Sequence, residues 1–148
     1  MTTSTELLTT SAEATEAAGE RLGRRLGPGD LLLLTGELGA GKTTFVRGLA
    51  RGAGASGDVM SPTFQLVRLY GGPVPLAHVD LYRVAGAGEL AELGLDELLE
   101  DGAVVVEWGE RLLDAGAGAP ATARVVFEVV DEARHRLRLE EAPSSWSW

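Results

Sequence analysis

A chain of 148 residues, 45% hydrophobic and 24% charged, has the size and composition of one ordinary domain able to bury a core without staples. It carries 13 basic and 22 acidic residues (net −9) and no cysteine, which excludes disulfides, thiolate metal sites and cysteine nucleophiles and disfavours autonomous nucleic-acid binding. No purely apolar run exceeds four residues and no basic segment precedes an apolar one at the N-terminus, so we expect a cytoplasmic protein without membrane spans, monomeric on its own.

Residues 1–9 are rich in Thr and Ser and read as an N-terminal extension of a domain covering residues 10–140. Thr10 with Glu13 fits a capping box, placing a helix start near Ser11. Ala14, Ala18, Leu22 and Leu26 then recur every four residues, and Gly27-Pro28-Gly29 stops the helix. Leu31 to Thr35 is apolar on both faces, as a buried parallel strand is. A glycine-rich loop from Gly36 to Gly41 leads into a helix from about Lys42 to Ala53. Strands are expected at Phe64–Tyr70 and Val74–Leu81, and a helix interrupted by Gly94 at Glu89–Glu100. A second buried strand covers Ala103–Glu107, with a short helix from Trp108 to Ala115. Arg124–Val130 and Arg134–Leu139 read as a hairpin, and residues 141–148 as a disordered tail. Helices alternating with buried strands predict an α/β three-layer sandwich of the P-loop NTPase type, with a mostly parallel sheet and a C-terminal antiparallel hairpin.

Gly36 to Thr43 (GELGAGKT) matches the phosphate-binding pattern G-x-x-x-x-G-K-[ST] in full, between a buried strand and a helix, which is the context the motif requires. The glycines let backbone N–H groups turn toward phosphate oxygens, and the helix start adds its positive dipole end. Lys42 supplies charge to the β- and γ-phosphates, and the Thr43 hydroxyl binds Mg²⁺. Twelve of the 13 basic residues are arginine, and Lys42 is the one lysine. A planar guanidinium is too large for a loop wrapped around phosphates, which explains why lysine persists at that position.

Such folds place acids at the C-terminal ends of strands beside the loop. Glu107 closes one strand and Asp80 another, with His78 on the same face as Asp80. His78 reads more readily as structural than catalytic. Ser61-Pro62-Thr63 stands where a γ-phosphate-sensing switch would, though it is also an ordinary turn. Arg21, Arg24, Arg25, Arg47 and Arg51 form either a basic patch or, as favoured, solvated helix faces.

Taken in order, Leu38 to Thr44 (LGAGKTT), Ser61 to Phe64 (SPTF), His78 to Arg83 (HVDLYR) and Glu107-Trp108 closely resemble the bacterial TsaE (YjeE) family. The likeness covers residues 10 to 140 or so. It implies an ATPase required for threonylcarbamoyladenosine (t6A) modification at position 37 of tRNAs that read codons beginning with A. Such a protein binds ATP and Mg²⁺, acts on the TsaB–TsaD complex to support its turnover, and meets tRNA only indirectly. The resemblance assigns ATP phosphates to Gly39, Ala40, Gly41, Lys42, Thr43 and Thr44, with Gly36 added by the phosphate-loop pattern itself, and Mg²⁺ to Thr43 and Glu107. Asp80 would act near the metal or the attacking water, Thr63 in a switch, and Trp108, Arg134 and Ser11 around the nucleotide. Val79 stands where many relatives have an aromatic residue, which implies a packing change only.

Three other readings stay open on the residues alone. A small-molecule kinase needs a cation-bearing lid, and residues 86–100 contain no Arg or Lys. A GTPase-type switch commonly carries an N-K-x-D segment, which the lone lysine forbids, so ATP is favoured over GTP. A binding module could hold its nucleotide as a structural element.

Overall fold

The computed structural model describes residues 2–36, 41–55, 67–81, 94–108 and 121–148, with residues 2–4 described by backbone alone. In chain order the described elements are β1 (Thr2–Thr9), α1 (Ala12–Gly23), β2 (Leu31–Gly36), α2 (Lys42–Gly52), β3 (Val67–Tyr70), β4 (Leu76–Asp80), α3 (Leu95–Asp101), β5 (Ala103–Glu107), β6 (Ala123–Val129) and β7 (His135–Pro143).

One seven-stranded sheet runs in the order β1-β7-β6-β2-β5-β4-β3. β2 pairs in parallel with β5 and β6, and β5 with β4, while β1–β7, β6–β7 and β3–β4 are antiparallel. Five strands, β1, β2, β4, β5 and β6, therefore point one way. β2 lies at the centre, and Leu31 to Leu34 are buried on both faces. Leu32, Leu34, Val105, Val125 and Phe127 pack under α1 and α2 on one face. Leu31, Leu33, Val104, Val106 and Val79 pack with Leu95 of α3 on the other. These layers make the expected α/β sandwich, and β6–β7 is the expected hairpin.

Several local details depart from the sequence reading. Ser11, not Thr10, caps α1, its hydroxyl accepting from the Ala14 N–H at 3.1 Å. α3 begins only after Gly94, whose left-handed backbone (φ 67°) cannot continue a helix; residues 89–93 lie outside the described residues. No helix starts at Trp108, which takes φ +61° after β5; the rest of that expected helix is also outside them.

Both chain ends belong to the sheet. Thr2–Thr9, read as an extension, pairs with β7 along its length, because threonine is β-branched and suits a half-buried strand. The reading of residues 141–148 as a disordered tail also gives way. β7 continues to Pro143, Trp146 joins the core, and the Trp148 indole donates to Thr5 O at 3.3 Å.

α1 lies on α2 along a seam of glycines. A Cβ at Gly19 or Gly23 would stand 2.1 Å from the backbone oxygen of Phe45 or Leu49, and one at Gly48 only 1.8 Å from Glu16 O. The seam brings the two backbones close enough for Arg51 to reach Glu16 and Glu20, at 3.4 Å each. Arg24 also pairs with Glu20, and Arg25 donates to Ser145 O. These contacts leave no basic patch built from Arg24, Arg25 and Arg51.

Candidate functional site

The site is built where the co-directed strands end. β2 ends at Gly36, β4 at Asp80 and β5 at Glu107, so register alone gathers these positions on one edge of the sheet. Gly36 has φ +137°, and a Cβ there would lie 2.4 Å from Phe127 O, so glycine is required. Gly41, with φ +95°, precedes α2 in the left-handed region, again suited to glycine. Gly39 and Ala40 lie outside the described residues, as does Thr63.

Lys42 opens α2 and is only 5% exposed. Its ammonium donates to Gly36 O at 2.8 Å and stands 3.6 Å from the centroid of the Trp108 ring. A carbonyl on one side and an indole face on the other hold the cation at the loop mouth. The Thr43 hydroxyl meets Glu107, 3.2 Å from Oε1 and 3.5 Å from Oε2. Thr44 lies in the same first turn. Asp80 is the direct neighbour of Glu107 across the β4–β5 pair.

His78, two residues before Asp80, faces the same side of the sheet. Its Nε2 is 2.5 Å from Glu107 Oε2, both side chains being buried. The sequence reading put His78 beside Asp80 but did not foresee this contact. The available signal was the alternation that puts both on one face, next to an acid-ended strand.

Two expected residues stand further along the same edge. Ser11 caps α1 just after β1 ends. Arg134 lies in the β6–β7 turn and is bound to Asp131, its Nε 2.6 Å from Oδ2. That hydrogen bond first, then the Ala133 N–H, holds the Asp131 carboxyl below its ordinary range. Between them the Thr9 and Thr15 hydroxyls meet at 2.8 Å, and Thr15 lines the space beside Gly41. Sequence reading did not single out this threonine pair.

The donors at the Thr43–Glu107 corner are a hydroxyl and a carboxylate, hard oxygens suited to Mg²⁺. Among the described residues no three or more His, Asp or Glu converge on a metal position. Mg²⁺ takes one or two protein ligands and shares the rest with phosphate and water.

A family model described as threonylcarbamoyl adenosine biosynthesis protein TsaE matches residues 9–138. The chain belongs to the TsaE family. A Streptomyces coelicolor relative named tRNA threonylcarbamoyladenosine biosynthesis protein TsaE is 45% identical over 124 residues, covering 79% of this chain and 84% of the relative. A Mycobacterium tuberculosis relative of the same name is 38% identical, covering 92% and 82% respectively. The crystal structure of Bacillus subtilis YdiB superposes with a TM-score of 0.78 at 30% identity, covering 97% of this chain and 88% of that one. The expected TsaE membership and the P-loop-type α/β fold both hold. Among the described residues no helix is long and apolar enough to cross a membrane.

Proposed function

We propose that this TsaE-family chain is a cytoplasmic, Mg²⁺-dependent ATPase serving t6A modification of tRNA, acting on the TsaB–TsaD complex rather than on tRNA itself. The observation that carries the reading is the meeting of Thr43 and Glu107, 64 residues apart in sequence, beside the buried Lys42. A phosphate loop needs a hydroxyl, an acid and a lysine converging on one anion site, and these three converge.

In this reading Gly36, Gly39, Ala40, Gly41 and Thr44 bind phosphate oxygens through backbone N–H groups. Lys42 exchanges the Gly36 carbonyl for the β- and γ-phosphates, because a charged acceptor is the stronger partner. Thr43 and Glu107 hold Mg²⁺, which when bound neutralises charge developing on the transferred phosphoryl group. Asp80, beside Glu107, orients the attacking water. Thr63 senses the γ-phosphate, while Trp108, Ser11 and Arg134 border the nucleotide. The net charge of −9 repels RNA phosphate and favours recruitment through protein partners.

The test is ADP release measured with and without a TsaB–TsaD pair, together with reconstituted t6A formation. We expect slow hydrolysis alone, a rise with the pair, and loss of both activities in Lys42→Ala. Full t6A formation by Lys42→Ala, or no hydrolysis under any condition, would overturn the proposal.

A further inference from the structure

Among the described residues His78 is the most completely buried polar group beside the site, and the steps proposed above do not use it. It is 0% exposed, and Glu107 is 4% exposed. Register explains how they meet: His78 pairs with Val105 and Asp80 with Glu107, so all four share the face of the sheet under α1 and α2. From there His78 reaches up one pleat to Glu107. Its Nε2 lies 2.5 Å from Glu107 Oε2, while Oε1 accepts from the Thr43 hydroxyl at 3.2 Å. The Thr43 hydroxyl stands nearer Oε1 than Oε2, which it meets only at 3.5 Å, so the carboxylate is held at Oε2 from the sheet below and leans with Oε1 toward the helix above.

The ring's other nitrogen fixes its tautomer. Nδ1 is buried and, among the described residues, has no hydrogen-bond partner. A proton there would be a buried donor without an acceptor, which is costly, whereas a bare lone pair is tolerated more easily. The proton therefore belongs on Nε2, where it donates to Glu107.

We propose that His78 is a positioning residue: its Nε2–H clamps Glu107 Oε2 and turns Oε1 toward Thr43, presetting the carboxylate for a divalent cation. The proposal rests on the Mg²⁺–nucleotide reading of the site. Hydrogen bonds that orient metal-binding carboxylates are commonly worth about 10–100-fold in metal affinity. His78 acts through Glu107 and touches no reacting atom.

Two substitutions separate reach from polarity. The amide nitrogen of Gln can stand where Nε2 does; that of Asn stands at the level of Nδ1 and falls short of Glu107. Binding of a fluorescent ATP analogue is titrated with Mg²⁺ and repeated in EDTA. His78→Asn should raise the half-saturating Mg²⁺ concentration by about 10–100-fold while leaving metal-free nucleotide binding unchanged. His78→Gln should restore the wild-type Mg²⁺ dependence. Nitrogen-15 ring spectra of the wild type should show the Nε2–H tautomer of His78. Unchanged Mg²⁺ dependence in His78→Asn, an equal loss in EDTA, or an Nδ1–H tautomer would each overturn the positioning role. If His78→Asn does not fold, His78→Gln and the ring spectra decide: loss of Mg²⁺ dependence in Gln overturns the role, and retention with Nε2–H supports it. A wild type showing no Mg²⁺ effect at all would bring down the underlying site reading as well; a Mg²⁺ effect present in the wild type and unaltered in His78→Asn removes only this inference.

Discussion

Lys42 is confined from both sides, between the Gly36 carbonyl at 2.8 Å and the Trp108 ring at 3.6 Å, with 5% of its surface exposed. A guanidinium in that space would displace either the indole or the loop backbone. Charge alone therefore does not suffice, and Lys42→Arg should fail much as Lys42→Ala does. A hydrogen bond to a charged group is worth about 1.5–3 kcal/mol, so nucleotide affinity should fall by roughly 10–100-fold in both variants. Calorimetric titration with ATP checks this; near-normal affinity in Lys42→Arg would show that the site reads charge and not size. The motif made Lys42 and Thr43 legible in the sequence, and strand-end position pointed to Glu107 and Asp80. The link from His78 to Glu107 was not legible, because it depends on the register of β4 against β5. Nor was the left-handed backbone of Trp108, since no local signal marks a tryptophan for positive φ.

The elements follow a similar division. Buried strands announce themselves by being apolar on both faces, and Ala103–Glu107 is found with the expected bounds. The spacings Gly19–Gly23 and Gly48–Gly52 are visible in the sequence too, but that the two pairs face each other is a tertiary fact. Their effect is that α2, which carries Lys42 and Thr43, has no room to slide on α1. An alanine in a helix is ordinarily worth about 1 kcal/mol over glycine. At Gly48 the new methyl would stand 1.8 Å from Glu16 O, a backbone atom that cannot swing aside. The clash outweighs the propensity, and overpacking typically costs about 1–3 kcal/mol or more. Gly48→Ala should therefore melt at a lower temperature than wild type. Gly27→Ala is the control: its nearest neighbour for a Cβ is Asp30 Oδ2 at 3.9 Å, and its melting point should barely move. Equal melting points for the two variants would mean that the seam is looser than its geometry.

At the scale of the molecule, alternating helix and strand gave the layers, while the two chain ends escaped sequence reading because their order is borrowed from partners far along the chain. Thr2–Thr9 is held by β7, and the Ser-rich C-terminal segment by two tryptophans. Trp146 is 6% exposed within the same cluster as Leu22, Phe45 and Phe127. Trp148 meets Phe45 edge-on at 6.0 Å, and Phe45 in turn meets Phe127 at 5.3 Å. Arg25 donates to Ser145 O, tying the same segment to the end of α1. A disordered tail would tolerate Trp146→Ala without effect. A core residue would not: truncating a buried tryptophan typically costs about 3–5 kcal/mol. With about 2–4 °C per kcal/mol in a domain of this size, melting should fall by roughly 6–20 °C. Trp146 lies away from the strand ends that carry the site, so ATP affinity measured well below the melt should stay close to wild type. Thermal unfolding and nucleotide titration on the same preparation separate the two effects. An unmoved melting temperature would return the segment to the status of a tail; a lost affinity with unchanged melting would mean that it reaches the site directly.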